Sequence, residues 1–275
     1  MAYSVVVAPR RRLVREVVAT LGSLRHPHTV VFIADLHLRG GQECDLVQLR
    51  RFWEELRPTG VDCVLLGGDV VERDDDAGSV AAALRSVFKE VPVLCVLGNH
   101  DVDGPDPIIP SKRRHNDLRK IRSAFSARSL TLLEDAVFTL RELTVVGAAW
   151  GSHAHATARL SDVVSKIRGP CLVLAHSPDQ LVGLGGSDDR VGLCGHTHGG
   201  QIDLPWLRWP ILFLRNRLPR AAGVMRIGEL RTFVTTGWGQ TYPVRIRVRP
   251  EIVVVRLVPR PPGGVASMTS RVVRT

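Results

Sequence analysis

Compact apolar runs alternate with longer mixed segments along most of this chain. Short, nearly continuous hydrophobic runs predict buried strands at 29–34, 63–66, 92–97, 143–147, 171–175 and 191–194. Apolar residues at helical spacing predict helices over 43–57, 78–90, 111–127 and 157–168. Repeated strand-helix-strand units predict an α/β protein with a largely parallel first sheet. The β-rich region after Thr232, with strands at 233–236 and 252–257, predicts a second sheet packed on the first.

The two ends of the chain differ from its body in pattern. Residues 1–28 form a basic, amphipathic segment, in which apolar residues at helical spacing predict a helix over 10–24 that packs on the domain or lies on a membrane surface. Residues 259–275 are rich in proline, glycine and arginine and predict a disordered basic tail. The intervening residues, 29–258, are expected to form one domain.

Composition narrows the class of protein. At 275 residues and 44% hydrophobic, the chain can bury the core of one large domain. Its net charge of +10 favours anionic partners such as phosphate esters, nucleic acid or an acidic membrane surface, although the arginine usage of a GC-rich genome would give the same charge.

Cysteine usage and hydropathy bear on the compartment. The five cysteines lie within apolar runs, which favours free thiols in a reducing cytosol. Residues 1–7 lack the pattern of a signal peptide, and no stretch reaches the roughly 18 apolar residues of a membrane span. We therefore expect a cytoplasmic protein, at most peripheral on the inner face of the membrane.

Polar side chains with metal-binding chemistry follow five of the predicted strands. Since the carboxyl ends of parallel strands meet at one edge of a sheet, these side chains are expected to converge. In chain order they are Asp35 and His37, Asp69, Asn99 with His100 and Asp101, His176, and His196 with His198. Mixed oxygen and nitrogen ligands suit Mn, Fe, Zn or Co better than an all-oxygen Mg or Ca cage. The ordered set therefore predicts a dinuclear metal site, although Asp35 and His37 alone would be a weak signal.

This ordered set resembles the calcineurin-like metallophosphoesterase superfamily, over roughly residues 30–258. The resemblance implies a four-layer α-β-β-α sandwich with two divalent metal ions at the sheet edges, Mn foremost and Fe, Zn or Co as alternatives. It assigns Asp35, His37, Asp69 and His198 to the first metal. It assigns Asp69, Asn99, His176 and His196 to the second, so that Asp69 bridges the two.

The resemblance also implies a mechanism. A metal-activated hydroxide would attack phosphorus in line, and His100 would protonate the leaving oxygen as general acid. Asp101 or another nearby carboxylate would orient the His100 ring. Many relatives carry an aspartate three residues after the position of Asp69, where this chain has Glu72, which at most contacts a metal ligand.

A finer resemblance concerns the substrate. Residues 195–205 and 243–252 resemble the bacterial membrane-associated branch that includes the UDP-2,3-diacylglucosamine pyrophosphatases of lipid A synthesis and wall-associated phosphodiesterases. This implies a phosphodiester or pyrophosphate bond in a lipid-linked substrate. Within a 204–220 insertion, Trp206, Trp209 and Phe213 alternate with arginine, so the segment could contact a membrane or an acyl chain, or pack on the domain as a cap. Arg245 is predicted to clamp a phosphate group.

Two alternatives to this function stay open at the level of sequence. The charge favours a nucleic-acid or cyclic-nucleotide phosphodiesterase, against which the aromatic content is only 5%. A catalytically silent metal-binding scaffold would need no general acid such as His100. His153 and His155 follow a predicted strand end and could touch substrate or a stray metal, or lie in a solvated loop.

Overall fold

The computed structural model describes residues 12–40, 43–103, 115–151, 153–202, 220–240 and 245–274, without the side chains of residues 43–44 and 153–157. Two sheets and a few helices make up this part of the chain. The helices are α1 (Glu43–Leu56), α2 (Ala77–Val87), α3 (Asn99–Val102), α4 (Leu118–Ser126) and α5 (His153–Lys166). The strands are β1 (Leu13–Leu21), β2 (His28–Ile33), β3 (Cys63–Gly67), β4 (Val93–Val96), β5 (Leu130–Leu132), β6 (Ala136–Leu140), β7 (Leu143–Gly147), β8 (Cys171–Leu174), β9 (Arg190–Cys194), β10 (Gly223–Ile227), β11 (Leu230–Val234), β12 (Glu251–Pro259) and β13 (Met268–Arg274).

Both sheets are mixed, with a run of parallel strands in each. The first sheet has the strand order β13-β1-β12-β2-β3-β4-β5. In it β2 to β5 are mutually parallel, whereas β12 runs antiparallel to β2 and parallel to β1. The second sheet has the order β10-β11-β9-β8-β7-β6, with β7, β8, β9 and β11 parallel. The carboxyl ends of these eight parallel strands thus point towards loops at the edge that carries the predicted site.

Three hydrophobic cores separate four layers. Trp53, Leu84 and Phe125 belong to the core between the first sheet and helices α1, α2 and α4. A second core, which includes Phe32 and Leu172, joins the inner faces of the two sheets. A third core packs Leu160 and Val164 of α5 on the outer face of the second sheet. The α/β fold class and the α-β-β-α sandwich are therefore confirmed.

The helix predicted over residues 10–24 is wrong. Within the described part of this segment, Leu13–Leu21 form β1, which lies between β12 and β13. Its apolar residues are buried on both faces of the sheet, so the two-residue alternation that marks a half-buried strand is lost. The charged residues fit because each is paired: Arg15 Nε lies 2.7 Å from Glu251 Oε2, and Arg256 Nε lies 2.8 Å from Glu16 Oε1.

The disordered tail predicted over residues 259–275 also differs from the structure, because Met268–Arg274 form the edge strand β13, antiparallel to β1. Glu16 holds this strand through Arg271, whose Nε lies 2.7 Å from Glu16 Oε2. The assignment of strands to the two sheets also differs from the prediction. Strand β12 belongs to the first sheet, whereas β7, β8 and β9 build the second. Both β1 and β13 were missed because their partners are more than 200 residues away in sequence.

Four of the five cysteines are buried free thiols, namely Cys63, Cys95, Cys171 and Cys194, which agrees with the expectation of no disulfide framework. The side chain of Cys44 lies outside the described residues. Among the helices that the structure describes, none combines the length and hydropathy needed to span a membrane.

Candidate metal centre

The structure brings the seven predicted ligands together at one end of the sandwich. Three strands of the first sheet lead into Asp35 and His37, Asp69, and Asn99, while β8 and β9 of the second lead into His176 and into His196 with His198. Donor atoms form three overlapping groups, each within 4.8 Å: Asp35, His37 and His198; His37, Asp69 and His100; and Asp69, His176 and His196. The first and third groups contain only residues that the resemblance assigned to the first and second metal, whereas the second group includes His100, which was not expected to bind metal.

The backbone at the site is strained. Five of the seven residues have the left-handed φ angles that residues other than glycine seldom adopt: Asp35 (55°), His37 (49°), Asp69 (51°), His196 (69°) and His198 (48°). Hydrogen bonds between neighbouring strand ends hold this conformation, as from His37 N to Asp69 O at 2.8 Å. Left-handed residues that cost roughly 1–3 kcal/mol each concentrate at functional sites.

The Nε2 atom of His176, in the third group, lies close to three side-chain atoms that can act as metal ligands. His176 Nδ1 lies 2.9 Å from the carbonyl oxygen of Gly67 and must donate to it, which leaves Nε2 of the neutral ring with a lone pair. That Nε2 lies 3.0 Å from Asn99 Oδ1, 3.1 Å from His196 Nδ1 and 3.4 Å from Asp69 Oδ2. Burial lowers the pKa of His176, but Asp69 and Asp35 outweigh it and raise this pKa to about 9. A positive charge, from a proton or a cation, is therefore favoured at this point.

The first group is organised around His37. Its Nδ1 lies 2.7 Å from Glu72 Oε1, so Nε2 is directed at the other donors. The Nε2 atom lies 3.1 Å from His198 Nε2 and 3.7 Å from Asp69 Oδ2. Since Asp69 Oδ2 also lies near His176, this one carboxylate oxygen stands between the first and third groups, where a bridging ligand would be required.

Two carboxylates are buried together in this centre. Asp35 and Asp69 expose 0% and 1% of their surface. Burial raises the pKa of Asp35 to about 6, and the charge of Asp69 adds to this effect. Burial of such charge is unfavourable unless cations offset it. The donor set therefore fits divalent metal ions.

Glycine is required where the backbone closes around these carboxylates. A Cβ atom on Gly195 would lie 2.7 Å from Asp35 Oδ2, and one on Gly98 would collide with Asp69 Oδ1. The glycines next to the predicted ligands thus allow other backbone segments to approach the carboxylates closely.

His100 lies at the rim of the centre. Its ring meets the ring of His37 edge-on at 4.7 Å, and its side chain keeps 16% exposure. Its Nδ1 has no hydrogen-bond partner among the described residues and lies 4.0 Å from Glu72 Oε1. Burial lowers the pKa of His100. The structure thus places an imidazole beside the predicted ligands, reachable from solvent.

Of the two alternatives predicted for the carboxylate that orients His100, namely Asp101 or another one nearby, the structure does not support Asp101. Its carboxylate is fully buried and accepts three backbone N–H groups: Val70 and Val71 at 2.9 Å on Oδ1, and Gly98 at 2.8 Å on Oδ2. It therefore ties the loop after β3 to the loop after β4, and the carboxylate near the His100 ring is Glu72.

Arg245 does not present a phosphate clamp either. The residue is fully buried, and its guanidinium donates to Thr236 O at 2.8 Å, Gly239 O at 2.7 Å and Gln240 Oε1 at 2.9 Å. Its Nη2 also lies 3.3 Å from His198 Nδ1. Arg245 thus supports the loop behind a predicted ligand, a role that its sequence neighbourhood did not reveal.

Other residues contact the centre without having been singled out as such. Trp150 packs against the rings of His176 and His196, at 5.3 and 6.0 Å between centroids. Gln180 Oε1 accepts from the backbone N–H of His176 at 3.1 Å. The position of Trp150 directly after β7 was the available signal. Trp206, Trp209 and Phe213, with the 204–219 part of the predicted insertion and the side chains of His153 and His155, lie outside the described residues.

The model of the Calcineurin-like phosphoesterase family matches residues 28–200, well over half of the chain. This protein belongs to that family. The calcineurin-like phosphoesterase described here is therefore a hydrolase of phosphoric esters, and the superfamily resemblance seen in its motifs is confirmed.

Relatives cover nearly the whole chain. Phosphodiesterase YaeI of Escherichia coli is 28% identical over 254 residues, which are 90% of this chain and 88% of the relative. The metallophosphoesterase YkuE of Bacillus subtilis is 26% identical over 233 residues, 83% of this chain and 78% of the relative. Among solved structures, a purple acid phosphatase from yellow lupin has a TM-score of 0.42 at 12% identity, over 64% of this chain and 39% of its own.

Proposed function

We propose that this calcineurin-like phosphoesterase hydrolyses phosphodiester bonds with two divalent metal ions. The observation that carries the proposal is the convergence on His176 Nε2 of Asn99 Oδ1, His196 Nδ1 and Asp69 Oδ2, within 3.0–3.4 Å. Each of these atoms can act as a metal ligand, and a cation among them would offset the buried negative charge of Asp69.

The residues present suit two cations. Asp35, His37, Asp69 and His198 would hold one, and Asp69, Asn99, His176 and His196 would hold the other. When bound, two divalent cations lower the pKa of water between them and offset charge on the phosphoryl oxygens. The mixed nitrogen and oxygen donors favour Mn, with Fe, Zn and Co as alternatives.

The other residues of the site handle protons and orientation. His100 would donate a proton to the leaving oxygen, since its ring is reachable from solvent and stands beside His37. Glu72 fixes the His37 ring through its 2.7 Å hydrogen bond and lies 4.0 Å from His100 Nδ1. Trp150 covers His176 and His196 and limits access of water.

A diester is favoured over a monoester because the relative YaeI, aligned over 90% of this chain, is named a phosphodiesterase. The finer proposal is a lipid-linked diester or pyrophosphate, such as UDP-2,3-diacylglucosamine, hydrolysed at a membrane surface. It depends on the resemblance of residues 195–205 and on the apolar and arginine pattern of 204–220.

The test uses metal-stripped protein resupplied with Mn, Fe, Zn, Co or Mg. Bis-p-nitrophenyl phosphate should be hydrolysed faster than p-nitrophenyl phosphate, and Asp69→Asn should abolish turnover. Asp162→Asn, in an exposed ion pair with Lys166, is the matched control and should retain it. Absence of turnover with every metal would refute the proposal and leave a silent scaffold.

Two further substrates resolve the class of diester. Turnover of UDP-2,3-diacylglucosamine far above that of the generic diester would support the lipid-linked substrate. Preferential turnover of oligonucleotides or cyclic nucleotides would support the nucleic-acid alternative instead.

A further inference from the structure

A cavity lined by both apolar residues and arginines lies near the candidate metal centre. Its volume is about 380 Å³, and four arginines line it: Arg15, Arg220, Arg247 and Arg249. A cavity of this size suits a small ligand or part of one. None of its lining residues is a predicted metal ligand.

The strand topology places this cavity at the same edge of the sheets as the predicted metal ligands. Strand β12 runs antiparallel to β2, so β12 begins where β2 ends, and β1 runs parallel to β12. The first residues of β1, which include Arg15, therefore lie at the same edge as Asp35, two strands away. At 4.7–4.9 Å per strand, that separation is about 10 Å.

The loop that carries His198 also connects the cavity directly with the candidate metal centre. Gly199 lines the cavity and follows the predicted ligand His198. A Cβ atom on Gly199 would lie 2.8 Å from Val248 and 2.9 Å from Thr236, so the ligand loop packs closely on the cavity wall. Arg247 lies only two residues after Arg245, whose guanidinium touches His198.

The protein holds part of this positive charge in place. Arg15 is fixed by Glu251, a buried residue that also accepts from the Thr235 hydroxyl at 2.9 Å. The carbonyl of Arg249 accepts from the Thr236 hydroxyl at 2.7 Å, which fixes the backbone there. Among the residues that the structure describes, no carboxylate side chain lines the cavity, and Arg15 is the one of its four arginines that is paired with Glu251.

Two of the arginines are available to a ligand. Arg220 and Arg247 are both exposed, and in the part of the chain that the structure describes neither guanidinium has an ion-pair or hydrogen-bond partner. Arg247 also has a left-handed backbone, with φ of 61°. Such conformations persist where the surrounding structure imposes them.

We infer that the arginine-lined cavity binds a second phosphate group of the substrate, next to the scissile one. The guanidinium fork matches phosphate oxygens and forms charge-assisted hydrogen bonds with them. The inference rests on the proposed phosphodiesterase function, and it narrows the substrate class to diesters that carry an additional terminal phosphate.

The first experiment measures phosphate binding without catalysis. The full chain is titrated calorimetrically with inorganic phosphate and pyrophosphate in the presence of a metal chelator. Arg220→Gln/Arg247→Gln should weaken binding by at least about tenfold. The control Arg128→Gln/Arg168→Gln removes the same charge from exposed residues that precede β5 and β8, at the opposite end of the sandwich, and should bind as wild type does. Equal binding by the two double variants would overturn the inference.

The second experiment asks whether the bound phosphate belongs to the substrate. The metal-loaded enzyme is given thymidine 5′-(p-nitrophenyl phosphate) with and without a 3′-phosphate. We expect the 3′-phosphate to raise kcat/KM at least about tenfold, mainly through KM. This ratio should fall towards one in Arg220→Gln/Arg247→Gln and persist in the control pair. An unchanged ratio in the arginine variant would overturn the substrate assignment.

Two further outcomes distinguish failure of this inference from failure of the proposed function. If these arginines instead mediate sedimentation with phosphatidic acid vesicles while the ratio stays near one, the cavity serves a lipid phosphate and the inference fails. If no diester is hydrolysed with any metal, yet phosphate binding depends on Arg220 and Arg247, the proposed function and the substrate assignment fail while the anion site stands.

Discussion

Glu72 Oε1 lies 2.7 Å from Nδ1 of His37, on the side of the ring opposite to the Nε2 atom that faces the metal centre. Arg39 in turn contacts Glu72 at 3.2 Å. Burial lowers the pKa of His37, but the hydrogen bond to Glu72 and the charges of Asp69, Glu72 and Asp35 outweigh it and raise that pKa. A carboxylate behind a ligating imidazole fixes its tautomer and orientation and increases its basicity.

Glu72→Gln should weaken metal binding. The neutral amide can still contact His37 but loses the negative charge, and loss of such partners costs about 10–100-fold in metal affinity or activity. Competition with a chromogenic chelator measures the affinity. Glu54→Gln, on an exposed glutamate of α1, is the control. Equal affinities for the Glu72 variant and wild type would contradict this role.

His100→Gln should slow catalysis without removing metal. Loss of a general acid costs about 10²–10⁴-fold, and the loss should be larger for an alkyl leaving group than for p-nitrophenolate, which needs little protonation. The measurements are kcat for an alkyl phosphodiester and for a p-nitrophenyl phosphodiester, together with metal content by elemental analysis. His115→Gln, on an exposed histidine paired with Asp103, should match wild type. The same loss for both leaving groups would argue against proton donation.

Asp101→Asn should act on stability. Its carboxylate accepts three backbone N–H groups, and an amide would leave a buried donor unpaired, at a cost of about 1–3 kcal/mol in the free energy of unfolding. Urea denaturation measures this loss. Asp103→Asn, a partly exposed neighbour, should change stability by less than about 0.5 kcal/mol. An unchanged unfolding midpoint for Asp101→Asn would show that the interaction is not stabilising.

The stabilisation that Glu16 of β1 provides by pairing with Arg256 of β12 and Arg271 of β13 should depend on pH. Burial raises the pKa of Glu16, but hydrogen bonds from Arg256 and Arg271 outweigh it, so the folded-state pKa lies below 4.5. Its contribution to stability is therefore present above pH 4.5 and is lost as pH falls through the folded-state pKa. The difference in unfolding free energy between wild type and Glu16→Gln should be constant from pH 6 to 8 and shrink below pH 4.5. A constant difference down to pH 3 would contradict the shift.

The clustering of the predicted metal ligands at one edge of the sheets could be predicted because it follows from local sequence patterns. Asp35, Asp69 and Asn99 each follow a compact apolar run, and the carboxyl ends of parallel strands must meet at one edge. The structure also shows tight backbone approaches at the neighbouring glycines Gly98 and Gly195. Sequence reasoning therefore succeeded where a side chain's role follows from its own strand.

Long-range pairings were not predictable in the same way. The apolar residues of β1 matched a helical period because residues on both faces of this strand are buried. Its position in the sheet, between β12 and β13, depends on pairings that are distant in sequence. The role of Arg245 depended on burial by residues 236–240, which its own neighbours do not encode. Asp101 stands next to His100 in sequence, yet its carboxylate turns to the backbone of the neighbouring loop.

The central claim is that Asp69 joins two cation sites, and the most direct measurement is the metal stoichiometry of the full chain. Equilibrium dialysis of stripped protein against Mn, followed by elemental analysis, should give two equivalents per chain. A crystal should show two anomalous peaks on either side of Asp69 Oδ2, and Asp69→Asn should lose at least one equivalent. One equivalent or none in the wild type, or two retained by Asp69→Asn, would contradict the account.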